Sequence, residues 1–225
     1  MKLIKSVLTV ALTCVAGAGF SQTIVNANFN ANSTGEGSIA DWTIDSGSFG
    51  ALTAAQWTAQ TPLQSNAVPL SSAPGNPNGN VLGTWYVSSQ NDAISQSLSG
   101  LTVGRDYTVS FYEAADNRSA KTFAFGSLYW DVSLGNATAN STYIATPGAQ
   151  VATAWTQVHM NFVATAATET LGFAAKSTGA VAPEPLLLLD GVNVTQAVPE
   201  PSTYSMILLG IAIYAALAWR RRVTP

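Results

Sequence analysis

Cysteine, histidine and charge are all scarce in this chain of 225 residues. The one cysteine, Cys14, sits in the first apolar stretch. The rest of the chain therefore has no thiol for a disulfide and must stand on its core alone. The one histidine, His159, falls on the polar side of an alternating segment and reads as a solvated strand residue. A Ser-His-acid arrangement has no other base to use, and no His/Cys cluster has zinc spacing. Neither a Gly-x-Ser-x-Gly turn nor a glycine-rich phosphate loop occurs. Only 9% of residues are charged, and residues 22–197 hold four basic side chains (Arg105, Arg118, Lys121, Lys176) against eleven acidic ones. That acidic balance speaks against a nucleic-acid partner, which would need clustered lysine and arginine.

What is present divides into two greasy ends and a polar middle. Residues 1–21 carry Lys2 and Lys5, an apolar stretch from Val7 to Val15, and then Ala16-Gly17-Ala18. A positive start, an apolar centre and small residues at the cleavage position make a signal peptide for signal peptidase. The other end, 198–225, reads Val198-Pro199-Glu200-Pro201, an apolar run from Tyr204 to Trp219, and Arg220-Arg221-Arg222. A helix over that run would be roughly 24 Å long, a short transmembrane helix for a ~30 Å hydrocarbon core. The three arginines would hold the far end in the cytoplasm. Neither proline can continue a helix, so the motif stays extended, as a processing protease requires.

The middle, 22–197, is long enough to bury one core. It shows short alternating runs between Gly, Asn, Pro and Ser clusters, with no sustained helical period. Tyr107, Val109 and Phe111 share one face of a strand over 105–113. Leu128, Trp130, Val132 and Leu134 make another, Val158, Met160 and Phe162 a third, and Leu171 with Phe173 a fourth. Leu186 to Val194 is nearly continuous, which suggests a strand covered on both sides. Weaker strands are expected at 24–29, 42–44, 81–87 and 93–98, and a proline-rich loop at 63–80. The fold expected is all-β: two antiparallel sheets packed as a sandwich.

The order of Pro-Glu-Pro, short helix and basic cluster resembles the PEP-CTERM sorting signal of Gram-negative bacteria. The resemblance implies recognition at 199–201 by an exosortase, brief anchoring in the inner membrane, and delivery to the cell surface or an extracellular polysaccharide matrix. The body is similar to galactose-binding-like jelly rolls of carbohydrate-binding modules. The similarity rests on Val25-Asn26-Ala27-Asn28-Phe29, Asp41-Trp42, the stretch from Gln96 through Gly100 and Gly104 to Tyr107, and Leu189-Asp190-Gly191-Val192. That resemblance implies a structural calcium held by Asp190 with Asn28, Glu36 and Asp41.

Sugar rings stack on exposed aromatic faces. Trp57 and the Trp85-Tyr86 pair lie near polar loop sequence, and Tyr112 shares the polar face of its strand, so these four are the expected ligand contacts. Trp42, Trp130 and Trp155 read as core. A non-catalytic, polysaccharide-binding surface or biofilm protein is expected. The alternatives are a purely structural adhesin and a polysaccharide-cleaving enzyme using carboxylates such as Glu113, Asp116 and Asp131.

Overall fold

The computed structural model describes residues 21–31, 35–59, 70–84, 92–117, 126–145, 147–179, 185–197 and 209–214. The strands are β1 (Ser21–Gln22), β2 (Gly35–Glu36), β3 (Thr43–Ser46), β4 (Phe49–Thr53), β5 (Asn80–Thr84), β6 (Asp92–Ser99) and β7 (Asp106–Asn117). They continue with β8 (Ser127–Leu134), β9 (Ala137–Asn140), β10 (Ile144–Ala145), β11 (Val151–Ala152), β12 (Thr156–Val163), β13 (Thr168–Ser177) and β14 (Pro185–Gln196). One short helix, α1 (Ala54–Ala59), follows β4. The body, through Ala197, forms one compact unit; residues 209–214, which are helical, belong to the other.

The strands pair antiparallel in two sheets, the sandwich expected from the alternation. In the eight-stranded sheet, β7 and β14 form the spine, with β11 and β12 beside β7, and β1 and β5 beside β14. β4 and β2 extend it past β5. The six-stranded sheet runs β8, β13, β6, β3, with β9 and β10 on the free side of β8.

Period-two alternation decides what each sheet buries. Tyr107, Val109 and Phe111 of β7 meet Trp130, Val132 and Leu134 of β8 in the core between the sheets. Phe173 of β13 centres that core, with its ring 5.2 Å from Phe111, 6.1 Å from Trp130 and 6.1 Å from Trp42. Edge-to-face contacts of this kind add about 0.5–1.5 kcal/mol each beyond area burial. β14 is covered on both sides, as its apolar run implies: Leu187 and Leu189 enter the inter-sheet core, Leu186 and Leu188 a second cluster on the outer face.

That second cluster differs from expectation in its most prominent member. Trp57 is 0% exposed and lies in α1, where its indole Nε1 donates to the Val81 carbonyl at 3.2 Å. Its ring plugs the outer face of the eight-stranded sheet alongside Leu52, Leu70 and Ala73, so it offers no face to a sugar. The helix forms where it does because Thr53 and Gln56 cap it reciprocally. The Gln56 amide N–H donates to Thr53 Oγ1 at 3.2 Å, and the Thr53 N–H donates to Gln56 Oε1 at 2.9 Å.

Residues 24–29, expected as a strand, are turns instead. Asn26 and Phe29 have φ of 51° and 53°, a left-handed backbone that no strand contains. The Gln96 side chain supplies what a neighbouring strand would have supplied: it bonds both the N–H and the carbonyl of Val25 at 3.0 Å. The Phe29 ring still reaches the core, 5.6 Å from Trp42.

Candidate functional site

The outer faces of the two sheets present different surfaces. On the six-stranded sheet, registry lines up small side chains from strand to strand. One row runs Asn140, Asp131, Ala174, Ala93, Ser46; the next runs Thr138, Ser133, Gly172, Ser95, Thr43. Asp45 is the extra residue of a bulge between Ile44 and Ser46. The result is a groove of about 260 Å³, floored by Ala93, Ser95, Gly172 and Ala174 and carrying Asp45 and Asp131. Gly172 is needed for depth, since a Cβ there would lie 2.6 Å from Ser133 Oγ. The floor is held from beneath, because Phe173, between Gly172 and Ala174, is wedged among three core rings. A floor fixed in this way loses little freedom when a ligand binds.

Beyond Asp131, one outward step along β8 (roughly 7 Å) brings Tyr129. Its ring lies 4.8 Å from that of Tyr143, which is 53% exposed and accepts a 3.3 Å hydrogen bond from Asn140 Nδ2. Neither tyrosine is among the residues expected to contact ligand. The available signal was weak: Tyr129 alternates with Trp130 and so faces outward, but only strand pairing sets Tyr143 beside it.

Of the expected aromatic contacts, Trp57 is buried as described, and Trp85 and Tyr86 lie outside the described residues. Tyr112 is half-buried on the outer face of the other sheet, directly opposite Asp190. Its ring packs over Gly191, where an added Cβ would come within 3.0 Å of Tyr112 Cδ2.

Asp190 is 0% exposed and sits in a net of asparagines. Its Oδ1 accepts from the Gly191 N–H at 2.7 Å and its Oδ2 from Asn76 Nδ2 at 2.8 Å. The orientation of that amide is set by a chain of bonds. The Asn80 N–H must donate, so Asn30 faces it with Oδ1 at 2.7 Å. Asn30 Nδ2 then donates to Asn76 Oδ1 at 2.9 Å, which leaves Asn76 Nδ2 to face Asp190, the Asn80 carbonyl at 2.9 Å and the Asn28 carbonyl at 3.4 Å.

Calcium needs six to eight oxygens around one point. Here three oxygens do converge, but the point they surround is filled by an amide that donates to all three. Asp41 is exposed, and its carbonyl accepts from Gln96 Nε2 at 2.8 Å. The Glu36 side chain lies outside what is described. Among the described residues no three acidic, histidine or cysteine side chains group together. The described part of the arrangement is a hydrogen-bonded clasp around the Asp190 carboxylate. Burial pushes the Asp190 carboxyl up to about 7, offset in part by its bonds from Asn76 and Gly191.

The three carboxylates weighed for catalysis lie on three different surfaces. Glu113 alternates with Phe111 and Ala115 and is buried between the sheets, where neither oxygen has a hydrogen-bond partner among the described residues. Burial pushes its carboxyl up to about 7, against a smaller opposing effect of the nearby Ser141 hydroxyl. Asp116 is buried at the far end of the same strand, on the opposite face. Asp131 lines the groove. His159 is exposed on β12, as its alternation predicts.

The body is thus a two-sheet antiparallel sandwich with a hydroxyl-lined groove on the outer face of its six-stranded sheet. The tail adds the class to which the chain is addressed. Residues 197–222 match the PEP-CTERM protein-sorting motif, which marks a protein for the cell surface of a Gram-negative bacterium and implies processing by an exosortase. The motif residues Val198 to Pro201 and the arginines 220–222 lie outside the described residues. Among those described, no helix is long and apolar enough to cross a membrane.

Several solved structures are similar to this chain. TmCBM61, solved in complex with β-1,4-galactotriose, is 13% identical, covers 78% of this chain and 99% of its own, and has a TM-score of 0.47. The K2 cleaved adhesin domain of Lys-gingipain is 14% identical over 81% of this chain and 99% of its own, with a TM-score of 0.43. The xylan-binding CBM22-1 domain from Paenibacillus barcinonensis is 15% identical over 82% and 97%, with a TM-score of 0.40. No curated protein matches the chain.

Proposed function

We propose that this chain is exported, released from its tail by an exosortase, and acts outside the cell as a non-catalytic module that binds extracellular polysaccharide. The observation that carries the binding half is the groove across the six-stranded sheet. Its small, fixed floor admits a flat sugar ring, its serine, threonine and aspartate side chains match hydroxyl groups, and the Tyr129–Tyr143 pair beside it offers an aromatic face.

The non-catalytic half is supported by where the carboxylates lie. Glycoside hydrolysis uses two carboxyl groups about 5–9.5 Å apart. Asp131 and Asp45 sit on strands three spacings apart, which sets their backbones roughly 14 Å apart at ~4.8 Å per strand. Glu113 and Asp116 face other surfaces altogether.

Glycan-array and pull-down measurements on the body test this reading, with Ala174→Tyr as the groove-filling variant and Trp85→Ala as the variant at an aromatic residue expected from sequence to contact ligand. Saturable binding lost in Ala174→Tyr and kept in Trp85→Ala supports the groove. Binding that follows Trp85 and ignores Ala174 moves the site. No saturable binding by any polysaccharide leaves a structural surface role, and reducing ends released from matrix polysaccharide would expose an enzyme.

A further inference from the structure

The charge of the groove selects among polysaccharides, an inference that rests on the groove being the binding site. Asp45 and Asp131 line it, and no lysine, arginine or histidine does. Asp131 is half-buried on β8, and neither aspartate has a hydrogen bond or ion pair to another described side chain. Lys176 faces the same way but lies opposite Tyr129, one outward step beyond Ala174, and is not part of the lining.

Hydroxyl groups alone do not call for this arrangement. A carboxylate does accept from a sugar hydroxyl in a charge-assisted bond, but a neutral hydroxyl leaves the negative charge of half-buried Asp131 and exposed Asp45 uncompensated. A uronate, sulfate or pyruvate group seated in the groove would be repelled by both carboxylates and would find no cation among the lining residues. A protonated amine reverses each of these terms. An ammonium group donates to a carboxylate in a charge-assisted bond roughly twice as strong as a neutral one. The two carboxylates stand on opposite sides of a floor of Ala174 and Ala93, so one chain lying across the strands would meet both.

We propose that the groove takes an amine-bearing polysaccharide, a hexosamine polymer with at least part of its amino groups free.

The test is calorimetry at mildly acidic pH on the full chain in detergent, using a glucosamine tetramer, the N-acetylated tetramer and tetragalacturonate. The free-amine tetramer should bind about tenfold more tightly than the acetylated one, about 1.4 kcal/mol. Tetragalacturonate should not bind. Asp131→Asn should reduce the preference by severalfold, whereas Asp106→Asn, which removes the same charge from an exposed site off the groove, should leave it unchanged. Ala174→Tyr should abolish binding of every tetramer.

Equal binding of acetylated and free tetramers, with both lost in Ala174→Tyr, overturns the charge assignment and keeps the groove. Equal loss of preference in Asp131→Asn and Asp106→Asn shows bulk attraction and also overturns it. Binding indifferent to Ala174→Tyr overturns the groove itself, and no binding of the glucosamine tetramer overturns the proposal outright.

Discussion

The two outer faces of this sandwich are built from the same alternation but put it to opposite uses. On the eight-stranded sheet the outward positions of β14 and β7 include Leu186, Leu188 and Ala114, and a short helix, Trp57 and the segment around Leu70 close over them. On the six-stranded sheet the equivalent positions are alanine, serine and glycine, and nothing among the described residues covers them. The difference teaches that the size of outward side chains, more than their polarity, decides whether a sheet face becomes a second core or a binding surface. Large apolar outward residues must be covered, because exposing them costs roughly 1.5–3 kcal/mol each. Small ones cost little to leave open, and they leave room.

The largest expected effect tests the covered face. Trp57→Ala removes the ring that plugs it and leaves a cavity beside Leu188 and Val81, at a cost of about 3–5 kcal/mol in urea unfolding. On the open face Ala174→Tyr should stay within about 0.5 kcal/mol of the parent. Equal losses at the two positions would break the contrast.

The second effect concerns the buried acids. Glu113, Asp190 and Asp92 have carboxyls raised by burial, to about 7, about 7 and about 6. An acid whose folded value lies above its unfolded value adds stability that is fully present below the unfolded value, near 4. That stability is lost as pH rises through the folded value. The body should therefore be more stable at pH 5 than at pH 8, by roughly 3 kcal/mol from Glu113 alone. Glu113→Gln should flatten the profile of melting temperature against pH, and an unchanged profile would show that Glu113 stays charged in the fold.

The third effect probes the clasp. Asn76→Ala leaves Asp190 short of a donor, at a cost of about 1–3 kcal/mol. Because an amide fills the space among the oxygens, EDTA and added calcium should not move the melting temperature of the parent. A calcium-dependent rise of several degrees would show that the asparagines turn and take up the ion. The smallest effect returns to the open face: Tyr143→Ala should weaken oligosaccharide binding severalfold, about 1 kcal/mol of stacking, with melting unchanged.

Most of the fold was legible in the sequence because burial acts on alternate residues of one strand at a time. Tyr107, Val109 and Phe111 announce their face without reference to any other strand, and the unbroken leucines of 186–189 announce two covered faces. Residues 24–29 misled because their apolar spacing suits a strand while Asn26 and Phe29 take left-handed backbone, with the Gln96 side chain doing a strand's hydrogen bonding. The helix at 54–59 was signalled by Thr53 and Gln56, a capping box short enough to pass as loop sequence. The groove was not legible. Ser95, Gly172 and Ala174 are unremarkable within their own strands, and they become a floor only when registry sets them side by side. The same is true of the asparagine clasp, whose members come from positions 28, 30, 76 and 80 around Asp190.

β14 is the last strand of the body, and it lies inside its sheet with β7 on one side and β1 and β5 on the other. Tension applied through the C-terminal tail would enter the body along this interior strand. Ten paired positions with β7 would resist as a group, so the domain should withstand tugging better than one hung from a peripheral strand that can peel away rung by rung.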